Sequence, residues 1–281
     1  MISFPNAKIN LGLRIISERD DGYHNIESVF YPINIFDILE VIQSDNQNNK
    51  ITINYSNNFQ TIKNDLCVKA YNLLDADFNL PPVNVYLHKN IPIGAGLGGG
   101  SSNAVSMLKI LNSLFKLNLN LEQLLFYCKK LGSDCPFFLE NKPAFVSGLG
   151  DKINSNISIS LSKYKLVLIS PTKFISTKKV FTSIKNKEIL INNQIKSEYF
   201  IRLFNEKLIN SWKENLKNDL ELTTFSFIPE LKKIKEELYK MGAVYASMTG
   251  SGSSVYGLFL KHVDVDHDWR KEYNCFSFSL C

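Results

Sequence analysis

IPIGAGLGGGSSNAV runs from Ile91 to Val105 and places five glycines and two serines in the nine residues Gly94–Ser102. Letter for letter, Gly94-Ala95-Gly96-Leu97-Gly98-Gly99 satisfies the G-x-G-x-x-G dinucleotide pattern. That pattern belongs on the first strand of its sheet, with an acidic ribose partner about 20 residues on. Here the loop lies about a third of the way along the chain, and no acid stands at that distance. A Walker A loop needs G-x-x-x-x-G-K-[ST], and a protein-kinase loop needs an H-R-D partner; the chain has neither.

The physics of the stretch survives those exclusions. Glycines without Cβ let backbone N–H groups close on a phosphate oxygen. Val105, Leu108, Leu111 and Phe115 recur at helical spacing just after the loop. The start of that helix turns unpaired N–H groups and a positive dipole end on the same anion. Pro92, Gly94, Gly96, Leu97, Gly98, Gly99, Gly100, Ser101 and Ser102 therefore read as a phosphate cradle. Ser101 or Ser102 is expected to cap the helix, and Ser102 to offer its hydroxyl to Mg²⁺. Lys89, just upstream, is placed to approach a nucleotide. A mobile Gly/Ser linker would not be bounded by Pro92 and an amphipathic helix.

Working outward, Ala7–Ile15 alternates strictly: Ala7, Ile9, Leu11, Leu13 and Ile15 on one face, Lys8, Asn10, Gly12 and Arg14 on the other. Read alone, Lys8 is a solvent-facing strand position. Strands are also predicted near residues 38–42, 51–55, 83–87, 165–169, 243–248 and 255–260, and helices over 66–76, 121–131 and 229–241, with Gly132 and Gly242 as stops. Asn46–Lys50 reads as a polar turn. The polar run DKINSNISISLSKY from Asp151 reads as a crossing between domains, followed by two helical stretches. Strands and helices interleave without a strict βαβ rhythm, which makes α+β the fold class.

The 281 residues, 44% of them hydrophobic, allow one large or two smaller cores. No apolar run approaches the roughly 20 residues of a membrane helix, and MISFPNAKIN lacks the features of a secretory leader. Five cysteines without a C-x-x-C pair fit reduced thiols and a cytoplasmic chain. The +5 charge is scattered lysine without a basic-aromatic block, so no nucleic-acid or membrane partner is expected.

PIGAGLGGGSSNA resembles the central motif of the GHMP kinase superfamily. PNAKINLGLRI (Pro5–Ile15) and RDDGYHNIESVF (Arg19–Phe30) resemble the N-terminal signature of its 4-diphosphocytidyl-2-C-methyl-D-erythritol kinase family, LGSDCPFFL (Leu131–Leu139) its second motif, and MTGSGSSVYGLF (Met248–Phe259) its third. The family often has Ala where Ser133 stands and Val where Cys135 stands; HVDVDHDWRKEYNCFSFSLC at the end matches none of its motifs.

The resemblance implies a two-domain fold. A ribosomal-protein-S5-like ATP-binding domain spans 1–155 and a ferredoxin-like domain 156–281, with the last strand open to returning to the first domain. It implies ATP with Mg²⁺, and transfer of the γ-phosphoryl to a hydroxyl, at the 2-position, of a cytidine-diphosphate-linked polyol in non-mevalonate isoprenoid synthesis, by a monomer or homodimer. Asp134 would accept the hydroxyl proton, and Lys8 would orient that carboxylate and stabilise charge. Asn10 would line the reacting end; Tyr23 and Phe181 would stack on cytosine, with His24 at its edge and Thr177 nearby. Gly250, Ser251 and Gly252 would close the site. Asn218-Asp219-Leu220-Glu221 also looks family-like but receives no chemistry. A sibling such as homoserine kinase, or a non-catalytic nucleotide binder on the same fold, is the competing reading.

Overall fold

The computed structural model describes residues 1–45, 50–56, 65–173, 175–184, 197–205, 209–265 and 272–280. The expected turn at Asn46–Lys50 falls almost wholly outside them. The strands are β1 (Ile2–Ser3), β2 (Asn6–Glu18), β3 (His24–Phe36), β4 (Ile38–Gln43), β5 (Ile51–Tyr55), β6 (Val83–His88), β7 (Ala144–Ser147), β8 (Lys152–Asn154), β9 (Tyr164–Ser170), β10 (Tyr245–Met248), β11 (Val255–Leu260) and β12 (Asn274–Ser279). The helices are α1 (Leu66–Phe78), α2 (Gly99–Leu114), α3 (Leu121–Leu131), α4 (Cys135–Glu140), α5 (Thr177–Thr182), α6 (Ser197–Asn205), α7 (Trp212–Asn215), α8 (Glu221–Phe227) and α9 (Glu230–Lys240).

Contacts divide the chain into two compact units that interleave along the sequence. Unit one comprises Met1–Ala7, Asn34–Ile93 and Gly98–Lys142; unit two comprises Lys8–Ile33, Gly94–Leu97 and Pro143–Cys281. Unit one holds a sheet ordered β1-β4-β6-β5, in which β5 runs parallel to β6 and the other pairs are antiparallel. Its helix α2 buries Val105, Leu108 and Leu111, the apolar stripe expected from their spacing. Helix α3 is closed by an Asn120–Gln123 capping box and ends at Gly132, as expected.

Unit two holds the sheets β2-β3-β7-β8 and β10-β11-β9-β12. Leu231, Ile234 and Leu238 of α9 pack with Val167, Ile169, Val255 and Phe259 of β9 and β11 into one core. The last strand does not return to the first domain: β12 pairs with β9, from Asn274 opposite Ser170 to Ser279 opposite Lys165.

Three differences from the sequence reading have physical causes. Strand β3 was not expected, because Pro32 and the irregular run HNIESVFYPINIF hide its alternation. Ser101 and Ser102 do not cap α2. Gly98 does, in the left-handed conformation at φ +70° and without a side-chain cap, which starts the helix three residues before Ser102. Strand β2 is buried on both faces from Asn6 to Arg14, so Lys8 is not a solvent-facing position.

Candidate active site

The loop before α2 has a regular backbone alternation. Gly94, Gly96 and Gly98 take left-handed φ values of +65°, +79° and +70°, while the intervening Ala95 and Leu97 are buried anchors. Successive residues alternating in this way turn their N–H groups toward one concavity. The carbonyls of Ala95, Gly96 and Leu97 are tied within unit two: they accept from Ser254 N–H at 3.2 Å, Thr249 Oγ1 at 3.1 Å and Lys8 N–H at 3.0 Å. Among the described residues nothing accepts from the backbone N–H of residues 94–101. The peptide units are fixed by their oxygens, and their donors stay unbonded among the described residues.

Within unit one, the start of α2 rests on a buried ion pair. Lys89 Nζ donates to Asp37 Oδ2, and Asp37 Oδ1 accepts the N–H groups of Asn90 at 2.8 Å and Ile91 at 2.9 Å. A Cβ placed on Gly99 would stand 2.8 Å from Ile91 Cγ2 and 3.4 Å from Lys89 Nζ, so only glycine lets the helix sit this close. Lys89 thus reaches the helix mouth with its charge already balanced. Asp37, which motif reading missed, is the group that balances it. Two N–H donors and an ammonium are what a buried carboxylate needs.

Asp134 stands at the N-cap of α4 but its side chain makes no cap hydrogen bond. Burial pushes the thiol of the next residue, Cys135, up to about 12, while the nearby Ser101 hydroxyl pulls it down. The start of α4 and the first turn of α2 are therefore neighbours within unit one.

Unit two gathers a second set. Lys8 is 3% exposed; its Nζ donates to Asn10 Oδ1 at 2.7 Å and lies 4.4 Å from the Phe30 ring centroid. Asn10 is the hub. Its N–H donates to Thr249 Oγ1 at 3.0 Å, its Nδ2 to Ser28 Oγ at 3.0 Å, and its carbonyl accepts from Tyr256 Oη at 2.7 Å. Thr249 shares its single hydroxyl proton between Gly96 O and Asn10 Oδ1. The predicted glycine turn 250–252 thus lies against the cradle's own Gly96, whose absent Cβ would fall 2.1 Å from Thr249 O.

The segment given no chemistry supports this turn. Asn218 Nδ2 donates to Met248 O at 2.8 Å and Gly250 O at 2.9 Å. Glu221 Oε1 accepts Met248 N–H at 2.9 Å, and Asp219 Oδ2 accepts Ile15 N–H at 2.8 Å. Spacing could not reveal this, since each partner is distant in sequence.

The expected base-binding residues divide. Thr177 Oγ1 and Ser251 Oγ lie 2.8 Å apart and satisfy one another. His24 faces Phe181 with ring centroids 5.4 Å apart, and its buried Nδ1 has no hydrogen-bond partner among the described residues. Tyr23 is 64% exposed at the turn before β3.

The GHMP kinases N terminal domain family matches residues 65–142, and the GHMP kinases C terminal family matches residues 200–272. A 4-diphosphocytidyl-2-C-methyl-D-erythritol kinase of Bacteroides thetaiotaomicron is 47% identical over 279 residues, covering 98% of each chain. The chain belongs to the 4-diphosphocytidyl-2-C-methyl-D-erythritol kinase family of GHMP kinases. A kinase of the same name from Cytophaga hutchinsonii is 41% identical, covering 95% of this chain and 96% of its own. A crystal structure of 4-(cytidine 5'-diphospho)-2C-methyl-D-erythritol kinase matches with a TM-score of 0.74 at 27% identity, covering 92% of this chain and 90% of that one. Homoserine kinase of Cytophaga hutchinsonii shares the fold at TM-score 0.65 and 14% identity, covering 92% and 85%. As a member of this family the chain is an ATP-dependent small-molecule kinase with the α+β GHMP fold.

Among the described residues no three His, Cys, Asp or Glu side chains are grouped to hold a metal ion, and no helix is long and apolar enough to cross a membrane. The donor set fits a cation carried in on phosphates, with the buried Ser102 hydroxyl at the helix start, rather than a cation held by a protein cage.

Proposed function

We propose that this kinase transfers the γ-phosphoryl of ATP to the 2-hydroxyl of 4-diphosphocytidyl-2-C-methyl-D-erythritol, in the cytoplasm, as a step of non-mevalonate isoprenoid precursor synthesis. The relative of the same name, 47% identical across 98% of both chains, carries the reading. Residues 1–155 supply ATP binding and 156–281 the second domain. The unbonded N–H groups of residues 94–101 hold the phosphates. Mg²⁺, when bound, supplies neutralisation of charge on the phosphoryl oxygens, with Ser102 as its protein ligand. Asp134 accepts the proton of the attacking hydroxyl. Lys8, an ammonium buried beside Asn10, stabilises charge on the reacting oxygens; the two-fold hold of Asn10 Oδ1 and the Phe30 ring keeps it in one place. Tyr23, His24 and Phe181 bind cytosine, with the unpaired His24 Nδ1 available to its edge.

The test is ADP release from Mg-ATP with the cytidyl-diphospho-polyol, against homoserine and mevalonate. Turnover of a control but not of the cytidyl compound would sink the reading. Asp134→Ala should lower kcat by at least about 100-fold, within the usual reach of acid–base catalysis, with ATP affinity kept. Near-normal turnover would remove Asp134 from the chemistry.

A further inference from the structure

Ser28 of β3 is fully buried, and its one hydroxyl joins two groups of β2. Ser28 Oγ donates to Gly12 O at 2.5 Å and accepts from Asn10 Nδ2 at 3.0 Å. Chemistry sets the direction of both bonds. A backbone carbonyl only accepts, so the single Ser28 proton goes to Gly12 O and leaves Ser28 Oγ as an acceptor. The end of the Asn10 carboxamide turned toward Ser28 is then its NH2, and the oxygen points the other way. That oxygen receives Lys8 Nζ at 2.7 Å and Thr249 Oγ1 at 3.2 Å. The reverse setting of the amide would put an NH2 against an ammonium, donor against donor, with both residues buried. It would also make Gly12 O and the carboxamide oxygen compete for the one Ser28 proton.

We propose that Ser28 is a positioning residue for phosphoryl transfer: its hydroxyl sets the carboxamide of Asn10, and Asn10 Oδ1 in turn sets the direction of the Lys8 ammonium. This rests on the reading of Lys8 as the cation that stabilises charge on the reacting oxygens. An ammonium on a flexible four-carbon stem takes its direction from the acceptors around it. Strand β3 supplies that direction twice, through the Phe30 ring centroid 4.4 Å from Lys8 Nζ and through Ser28 by way of Asn10.

Steady-state kinetics on the full chain, with Mg-ATP and the cytidyl-diphospho-polyol, test this, with Tm as the check on folding. Ser28→Ala should lower kcat about tenfold and leave the KM for ATP within about twofold, since a misdirected charge weakens reactive alignment rather than nucleotide binding. Ser28→Cys fills nearly the same space but bonds weakly, so it should show the same loss with the fold kept. In an Asn10→Ala background, adding Ser28→Ala should change kcat by less than about twofold, because the route to Lys8 is already cut. A role in stability alone would repeat the full loss in both backgrounds. That repeat, or wild-type kcat in a folded Ser28→Cys, overturns the proposal. Near-normal turnover by Lys8→Ala overturns instead the reading of Lys8 on which the proposal stands.

Discussion

Two glycine turns of this chain look alike in sequence and differ in hydrogen bonding. Gly94–Ser101 has its carbonyls tied down and its N–H groups unbonded. Thr249–Ser254 is tied through carbonyls and N–H groups alike. Asn218 takes the carbonyls of Met248 and Gly250, Thr224 takes that of Ser251, and the turn's own N–H groups at Gly252 and Ser254 find backbone acceptors. Among the described residues the first turn keeps its N–H groups unbonded; the second has acceptors for half of its own, and its Thr249 hydroxyl and Ser254 N–H hold the Gly96 and Ala95 carbonyls of the first. Glycine content does not distinguish a site from its support, whereas an account of where each backbone donor goes does.

That contrast can be broken by substitution. Gly96→Ala should have the largest effect, since the new Cβ falls 2.1 Å from Thr249 O at a left-handed φ of +79°. A loss of about 3 kcal/mol or more is expected in urea unfolding, as steric strain at a fixed backbone position dictates. Wild-type stability would mean that the two turns are not locked together.

Asn218→Ala should follow. It removes the Asn218 donor from Gly250 O and one of two donors from Met248 O, which keeps Ser247 Oγ, at about 1–3 kcal/mol for a group left unsatisfied. If the second turn is only a support, the substitution lowers Tm and raises the KM for ATP less than it lowers stability; an unchanged Tm with lost turnover would make Asn218 a substrate contact.

Gly100→Ala sharpens the other side. Its Cβ would meet only Leu66 Cδ1 at 3.7 Å, so stability should change by less than about 1 kcal/mol. Turnover should nevertheless fall about 10–100-fold if a phosphate must come against that backbone, because small misplacements weaken reactive alignment that much. A fully active Gly100→Ala would argue against a close phosphate there.

The smallest effect is on pH dependence. Burial holds the Asp219 carboxyl above its ordinary value, against the pull of Ile15 N–H and Arg14. The folded state then keeps a proton to higher pH than the unfolded chain does. Stability from this group is fully present below the unfolded value and is lost as pH rises through the folded one. Asp219→Asn, which can still accept Ile15 N–H, should flatten the Tm profile between the unfolded and folded values of this carboxyl; a steeper profile there would reverse the assignment.

The fold class and the family were legible in the sequence, because strand and helix periodicity and contiguous motifs are local properties of the chain. Tertiary structure alone decided that the polar face of β2 is buried, that Asp37 balances Lys89, that Asn218 and Thr249 hold the second turn, and that Ser28 meets Asn10. The reason is separation: Asn10 and Thr249 are bonded across 239 positions, and Asp37 and Lys89 across 52. No periodicity links residues so far apart. Only the folded chain brings a donor to an acceptor, or leaves an acceptor without one.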